Sequence, residues 1–163
     1  MGFRLRENPA QLVPEIGELA GALMRATVNG SVPSTTMSLI YLRAGQIVGN
    51  TYQTLRHSAD LRTARESAER IASVATWWDA PCFTDAERAA LALTEAVFQP
   101  SVRGEERVPD ALIAEVSKHY DGRALATLVA VLGSAGYWMN VALITVKADI
   151  AKPTTVEQEA RSA

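Results

Sequence analysis

The chain has 163 residues, 48% hydrophobic and 21% charged, with 16 Lys and Arg against 18 Asp and Glu and a formal net charge of -2. That length suits one domain with its own core, and the even mixture of signs lacks the clustered cations a nucleic-acid surface needs. The single cysteine, Cys82, excludes an internal disulfide and any cysteine-rich metal site, and suits a reducing, cytoplasmic compartment. No metal ion or cofactor is expected. The opening stretch, "MGFRLRENPAQLVPEIGELAG", places acidic and proline residues where an export signal needs a continuous apolar run, so none is expected.

The periodicity is helical nearly everywhere, and the predicted fold class is all-α. Asn8, Pro9 and Pro14 suit a helix start, after which Ile16, Leu19, Ala20, Leu23 and Met24 keep helical spacing up to a stop at Asn29 and Gly30. Ser34 or Thr35 can cap a second helix carrying Met37, Ile40, Ala44 and Ile47, which Gly49 ends. A third begins at once with "NTYQTLRH". Beyond it, "ESAERIASVATWW" carries Ile71, Val74 and Trp78 before "DAPCF" breaks the pattern. Thr84 and Glu87 form a capping box, Thr84 serving the N3 amide while Glu87 reaches back to the cap amide. That helix runs to Pro100. Pro109 is a suitable first residue for the next, with Leu112, Ile113, Val116 and Tyr120 on its buried face and Gly122 as its terminator.

From Ala124 to Val146, "ALATLVAVLGSAGYWMNVALITV" holds no charge and is long enough, at about 1.5 Å per residue, to cross a bilayer. Gly133, Ser134, Gly136 and Asn140 interrupt it, and amphipathic helices precede it that need a core. A fully buried helix of a globular oligomer is the expectation, with no membrane partner. Residues 1–151 are read as one helical domain, and the polar dozen 152–163 as a frayed tail.

Asn50, Gln53 and His57 fall on one helical stripe, because steps of three, four and seven return near the same angle. Asn50 is a favoured N-cap, and Gln53 three residues on can complete a variant capping box, so this pair has a purely structural reading beside a catalytic one. His57 is either packing or a base working near neutral pH. Asp60, one turn on, suits a solvated ion pair. Cys82 is read as a small packed hydrophobe. Glu95, on an apolar helix face, is expected to pair with an arginine. His119 is assigned no role, and Trp77, Trp78 and Trp138 are read as core or interface aromatics.

Three stretches, "YLRAGQIVGNTYQTLRHSADLR", "WWDAPCFTDAERAALALTEAV" and "GYWMNVALITV", resemble the carboxymuconolactone decarboxylase-like superfamily, in its alkyl hydroperoxidase D (AhpD)-like branch. Leu42, Arg43, Gln46 and Gly49 match the lead-in to the family's active helix, and His57, Asp60 and Arg62 match its continuation. The resemblance implies an orthogonal bundle of about six to eight helices, assembled as a trimer or hexamer. Peroxidase members open the helix with a Cys-x-x-Cys pair, served by a histidine and an upstream glutamate. Here the cysteine positions are Asn50 and Gln53, the glutamate position is Ser38, and only the histidine remains, as His57. Without a dithiol there is no disulfide cycle. What remains is a small-molecule pocket lined by Ser38, Asn50, Tyr52 and Gln53, with non-redox acid–base chemistry at His57, such as decarboxylation, isomerisation or cyclisation. A non-enzymatic oligomer subunit, or residual peroxidase activity through Cys82, is the alternative.

Overall fold

The computed structural model describes residue 5, residues 7–100, residue 104 and residues 106–145; the tail assigned to 152–163 lies outside them. Eight α-helices follow one another among the described residues: α1 (Pro9–Leu12), α2 (Pro14–Thr27), α3 (Ser34–Val48), α4 (Thr51–Thr63), α5 (Ala68–Ser73), α6 (Asp85–Phe98), α7 (Asp110–Ser117) and α8 (Gly122–Ile144). A 3₁₀ turn, Val74–Thr76, extends α5. The only strand-like feature among these residues is an isolated parallel bridge between Leu5 and Thr145. The all-α architecture is as the helical periodicity predicts.

Several boundaries differ from the sequence reading for local reasons. The first expected helix is two, because Pro14 has no amide to continue α1; Val13 turns extended there, at φ -132 and ψ 95. Pro33, not Ser34 or Thr35, holds the cap position of α3. Gly122 begins a helix instead of ending one, since the Asp121 side chain accepts from Ala124 N at 2.8 Å and caps α8. The capping box at Thr84 and Glu87 forms with both of its bonds.

α3 and α6 form the centre and bury residues on two sides. One core joins Met37 and Ile40 of α3, Ala90 and Leu93 of α6, Val116 of α7, and Leu128 and Val131 of α8. A second joins Leu39 and Leu42 to Leu61, Ile71, Val74, Phe83 and Leu91. α8 packs against α2, α3, α6 and α7. It is long and apolar enough to cross a membrane, but is not wholly buried: 39% of its most apolar stretch lies inside the molecule, and Val129 faces out. One chain covers only one side of it. Ile113, expected on a buried face, and Trp78, read as a core or interface aromatic, are exposed.

Helix α3 lies closest to α4 at Gly45. A Cβ there would meet Thr54 Oγ1 at 3.1 Å, Thr54 N at 3.2 Å and Gln53 Cβ at 3.3 Å. The backbone nitrogen cannot rotate away as a side chain can. Gly45→Ala is therefore expected to push the first turn of α4 outward and to lose about 1–3 kcal/mol, the usual range for overpacking. Urea denaturation measures the loss, and an alanine variant as stable as wild type would show that this contact does not set the helix spacing.

Candidate functional site

The turn between α3 and α4 builds the site. Gly49 takes the left-handed conformation at φ 72, which glycine adopts without a Cβ penalty, and Asn50 N donates to Gly45 O at 2.8 Å. Asn50 Oδ1 then accepts from Gln53 N at 3.1 Å and caps α4. The capping half of the structural reading is thus present. The reciprocal half is not: the Gln53 side chain runs along α4, with Oε1 3.1 Å from His57 Nε2. Asn50 and Gln53 are both buried, so these bonds form away from bulk water.

His57 is held on three sides. Its ring stacks on Tyr41 of α3, centroids 4.6 Å apart and planes 16° off parallel. Nδ1 lies 2.9 Å from Asp60 Oδ2, with the ring N–H direction off the line to that oxygen, so the contact is electrostatic before it is a linear hydrogen bond. Two lone pairs at that separation would repel. A proton on Nδ1 makes the contact with Asp60 attractive, and a proton on Nε2 does the same for the contact with Gln53 Oε1. A Gln53 amide serves either state, offering Oε1 to a protonated Nε2 or, after a flip, its N–H to a bare one.

The Asp60 carboxyl is held below the usual carboxylate range, first by its close contact with the His57 ring nitrogen, with the charges of His57 and Arg56 adding to this and burial opposing it. Tyr41 moves the other way, since burial pushes its phenol up. Tyr41 is neutral at physiological pH.

A cavity of about 710 Å³ opens beside this constellation. Leu23, Met24 and Thr27 of α2 with the following Val28 form one wall, Met37, Ser38 and Tyr41 of α3 the base, and Ser134, Trp138 and Val141 of α8 the far side. Tyr52, Arg56 and Asp60 join Gln53 and His57 along α4, so the cavity is apolar toward α2 and α8 and polar toward α4. Its size lies within the range of about 300–1,000 Å³ typical of small-molecule sites. All five residues singled out from the sequence, Ser38, Asn50, Tyr52, Gln53 and His57, are on its wall.

Sequence reasoning missed Ser134 and Trp138, which come from α8, and the walls supplied by α2. It also read Asp60 as only a solvated ion pair, whereas Asp60 faces both His57 and the cavity. The i, i+3 spacing of His57 and Asp60 was the one available signal.

Cys82 stands apart. It is exposed in the loop before α6 and does not line the cavity, contrary to the expectation that it packs as a small hydrophobe. Neighbouring arginines occupy that loop's carbonyls: Arg70 donates to Cys82 O, and Arg88 to Ala80 O and to Trp77 O. Glu95 is paired as expected. Arg43 Nε at 2.9 Å, Arg43 Nη2 at 2.5 Å and Trp77 Nε1 at 2.8 Å all donate to its Oε1. This cluster ties α3 to α6 and does not reach the cavity. His119 lies 3.6 Å from Glu115, away from His57.

Residues 14–96 match the sequence pattern of the carboxymuconolactone decarboxylase family. The chain belongs to that family. The match spans α2 to α6 and so includes the α2, α3 and α4 walls of the cavity, while the α8 wall falls outside it. The uncharacterized protein YdfG of Bacillus subtilis (strain 168) is 27% identical over 133 residues, 82% of this chain and 88% of that protein. Another uncharacterized protein, YnjA of Escherichia coli (strain K12), is 38% identical over 69 residues, 41% of this chain and 35% of that one. Among solved structures, ATU0492 of Agrobacterium tumefaciens, described as a protein of unknown function and an AhpD antioxidant defence protein, superposes with a TM-score of 0.73 at 24% identity. That superposition covers 86% of this chain and 94% of that one. The debrominase Bmp8 superposes with a TM-score of 0.72 at 15% identity, covering 86% of this chain and 75% of its own. These likenesses establish an AhpD-like fold.

The depressed Asp60 carboxyl gives a pH test. A group whose folded pKa is lowered adds stability above its unfolded pKa and loses it as pH falls through the folded one. Asp60→Asn is therefore expected to lower Tm at neutral pH, and the gap from wild type to close below the ordinary aspartate value of about 3.9. Melting curves across the acid range check this, and a gap that persists undiminished well below that value would contradict the pairing.

Proposed function

We propose that this family member binds a small organic molecule in the cavity beside His57 and exchanges a proton with it through Nε2, without redox chemistry. The observation that carries this reading is the open cavity itself: an assembly subunit has no need of an unfilled space beside a base oriented by Tyr41, Gln53 and Asp60. The Asp60 carboxylate favours a proton on Nδ1, and Nε2, once the Gln53 side chain yields it to the ligand, takes a proton from a carbon acid or returns one to an enolate-like intermediate. Decarboxylation, isomerisation and cyclisation of an oxygenated molecule each need such a group. The cysteine positions implied by the family resemblance hold Asn50 and Gln53, and both side chains are engaged in orienting α4 and His57.

Removing the imidazole separates chemistry from packing. His57→Gln is expected to abolish turnover while lowering Tm by no more than about 4 °C, the shift that about 1 kcal/mol produces in a domain of this size. Thermal-shift assays of both forms against a metabolite panel supply the ligand. If His57→Gln melts far lower and neither form binds anything, the assembly-subunit reading replaces this one. Peroxide with a dithiol donor is expected to give no turnover, and robust turnover lost in Cys82→Ser would instead promote Cys82 to a one-cysteine nucleophile.

The proposal includes assembly into a trimer or a hexamer. Its support is the apolar surface one chain leaves open away from the cavity, with Val129 and Ile144 of α8 each more than 60% exposed. Light scattering in detergent-free buffer is expected to give three or six times the 17.6 kDa chain mass. A monodisperse species at the chain mass would defeat this part of the proposal and leave the pocket reading intact.

A further inference from the structure

Ser134 sits on α8 with 1% of its surface exposed, and its Oγ donates to Val131 O at 2.9 Å. A serine hydroxyl has one proton. The same Oγ lies 2.5 Å from the Tyr41 hydroxyl. With its proton directed to Val131, Ser134 is left to accept, so Tyr41 is the donor in that short contact. Relative acidity agrees, because a phenol is a stronger donor than an aliphatic alcohol. The stack on His57 fixes the Tyr41 ring, and both hydroxyl-bearing residues line the cavity.

From this proton count we infer that the cavity selects a neutral, otherwise apolar molecule bearing a hydroxyl: an alcohol, a phenol or an enol. The Tyr41 oxygen has spent its proton on Ser134 and offers only lone pairs, so it accepts from a ligand O–H and repels an ether or ester oxygen. His57 and Gln53, bonded to each other and adaptable in donor and acceptor sense, line the same cavity and can serve the ligand oxygen's remaining capacity. Leu23, Met37, Trp138 and Val141 enclose the apolar remainder. The charged groups on the wall, Arg56 and Asp60, are of opposite sign, which gives a full anion no unopposed cation. This inference rests on the reading of the cavity as a small-molecule site and names the class of molecule it takes.

Calorimetric titration of the full chain with phenol, anisole and benzoate tests it, with chemical-shift changes at Tyr41, His57 and Trp138 locating the bound probe. Phenol is expected to bind about tenfold more tightly than anisole, the scale of one buried polar group left unpaired. Tyr41→Phe should bring the two within about threefold by weakening phenol, while Ser134→Ala should do so by strengthening anisole, because the freed Tyr41 proton can turn toward the cavity. A purely structural role for either residue would weaken both probes alike. Equal binding of phenol and anisole to wild type overturns the inference and leaves the pocket reading standing, as does benzoate binding tighter than phenol. Failure of all three to bind overturns it too, and reaches the pocket reading only when the wider metabolite panel is silent as well.

Discussion

The close approach of α3 and α4 at Gly45 is the constraint on which the site depends. A Cβ there would crowd Gln53 and Thr54 and require one helix to give by a few tenths of an ångström. The Gly49 turn and the Asn50 cap then set where α4 begins, and hence which of its residues face α3. With that register, Tyr41 from one helix stacks on His57 from the other, and Gln53 reaches Nε2 from within α4. A helix pair spaced more widely would keep every one of these side chains and lose their geometry. Residues that read individually as a cap, a spacer and a packing histidine become one oriented imidazole.

Contacts outside the cavity keep that pair in place. Arg43 and Trp77 converge on one oxygen of Glu95 and pin α3 to α6, with side chains of Arg43 and Glu95 only 11% and 18% exposed. Such a pair gains little over a well-packed apolar alternative, yet removing one partner leaves a poorly hydrated charge, so its strength lies in specifying register. Arg70, bonded to Glu87, and Arg88 hold the loop before α6 through its carbonyls. On the opposite side, Asn29 and Ser31 both donate to Thr127 Oγ1 at 2.8 Å, tying the turn after α2 to α8. That knot holds the α2 wall of the cavity against the α8 wall.

Much of this was legible in the sequence, because helical periodicity and capping chemistry are local. The box at Thr84 and Glu87, the stop at Gly49, the cap at Asn50 and the stripe from Asn50 to His57 all follow from residues a few positions apart. Family membership rested on motifs in that same range. What could not be read was whatever depends on contacts distant in sequence. Ser134 is 93 residues from Tyr41, and nothing in "LGSAGYW" distinguishes a hydroxyl that fixes a phenol from one that merely bonds back to its own helix. Trp138 looked like any core aromatic, and the open space beside it has no sequence signature. Gly122 misled in the other direction, because a glycine after an apolar helix resembles a terminator until Asp121 is seen to cap the helix that follows.

At the centre of the proposed function is a single proton on His57 Nδ1, favoured by the Asp60 carboxylate, with Nε2 beside Gln53 as the exchanging atom. The imidazole ¹⁵N shifts of His57, read from two-bond ¹H–¹⁵N correlations at a pH where the ring is neutral, report that proton directly. The account predicts a pyrrole-type Nδ1 carrying hydrogen and a pyridine-type Nε2, with the pattern lost in Asp60→Asn. A neutral ring protonated on Nε2, or two nitrogens averaged alike as in free imidazole, would contradict it.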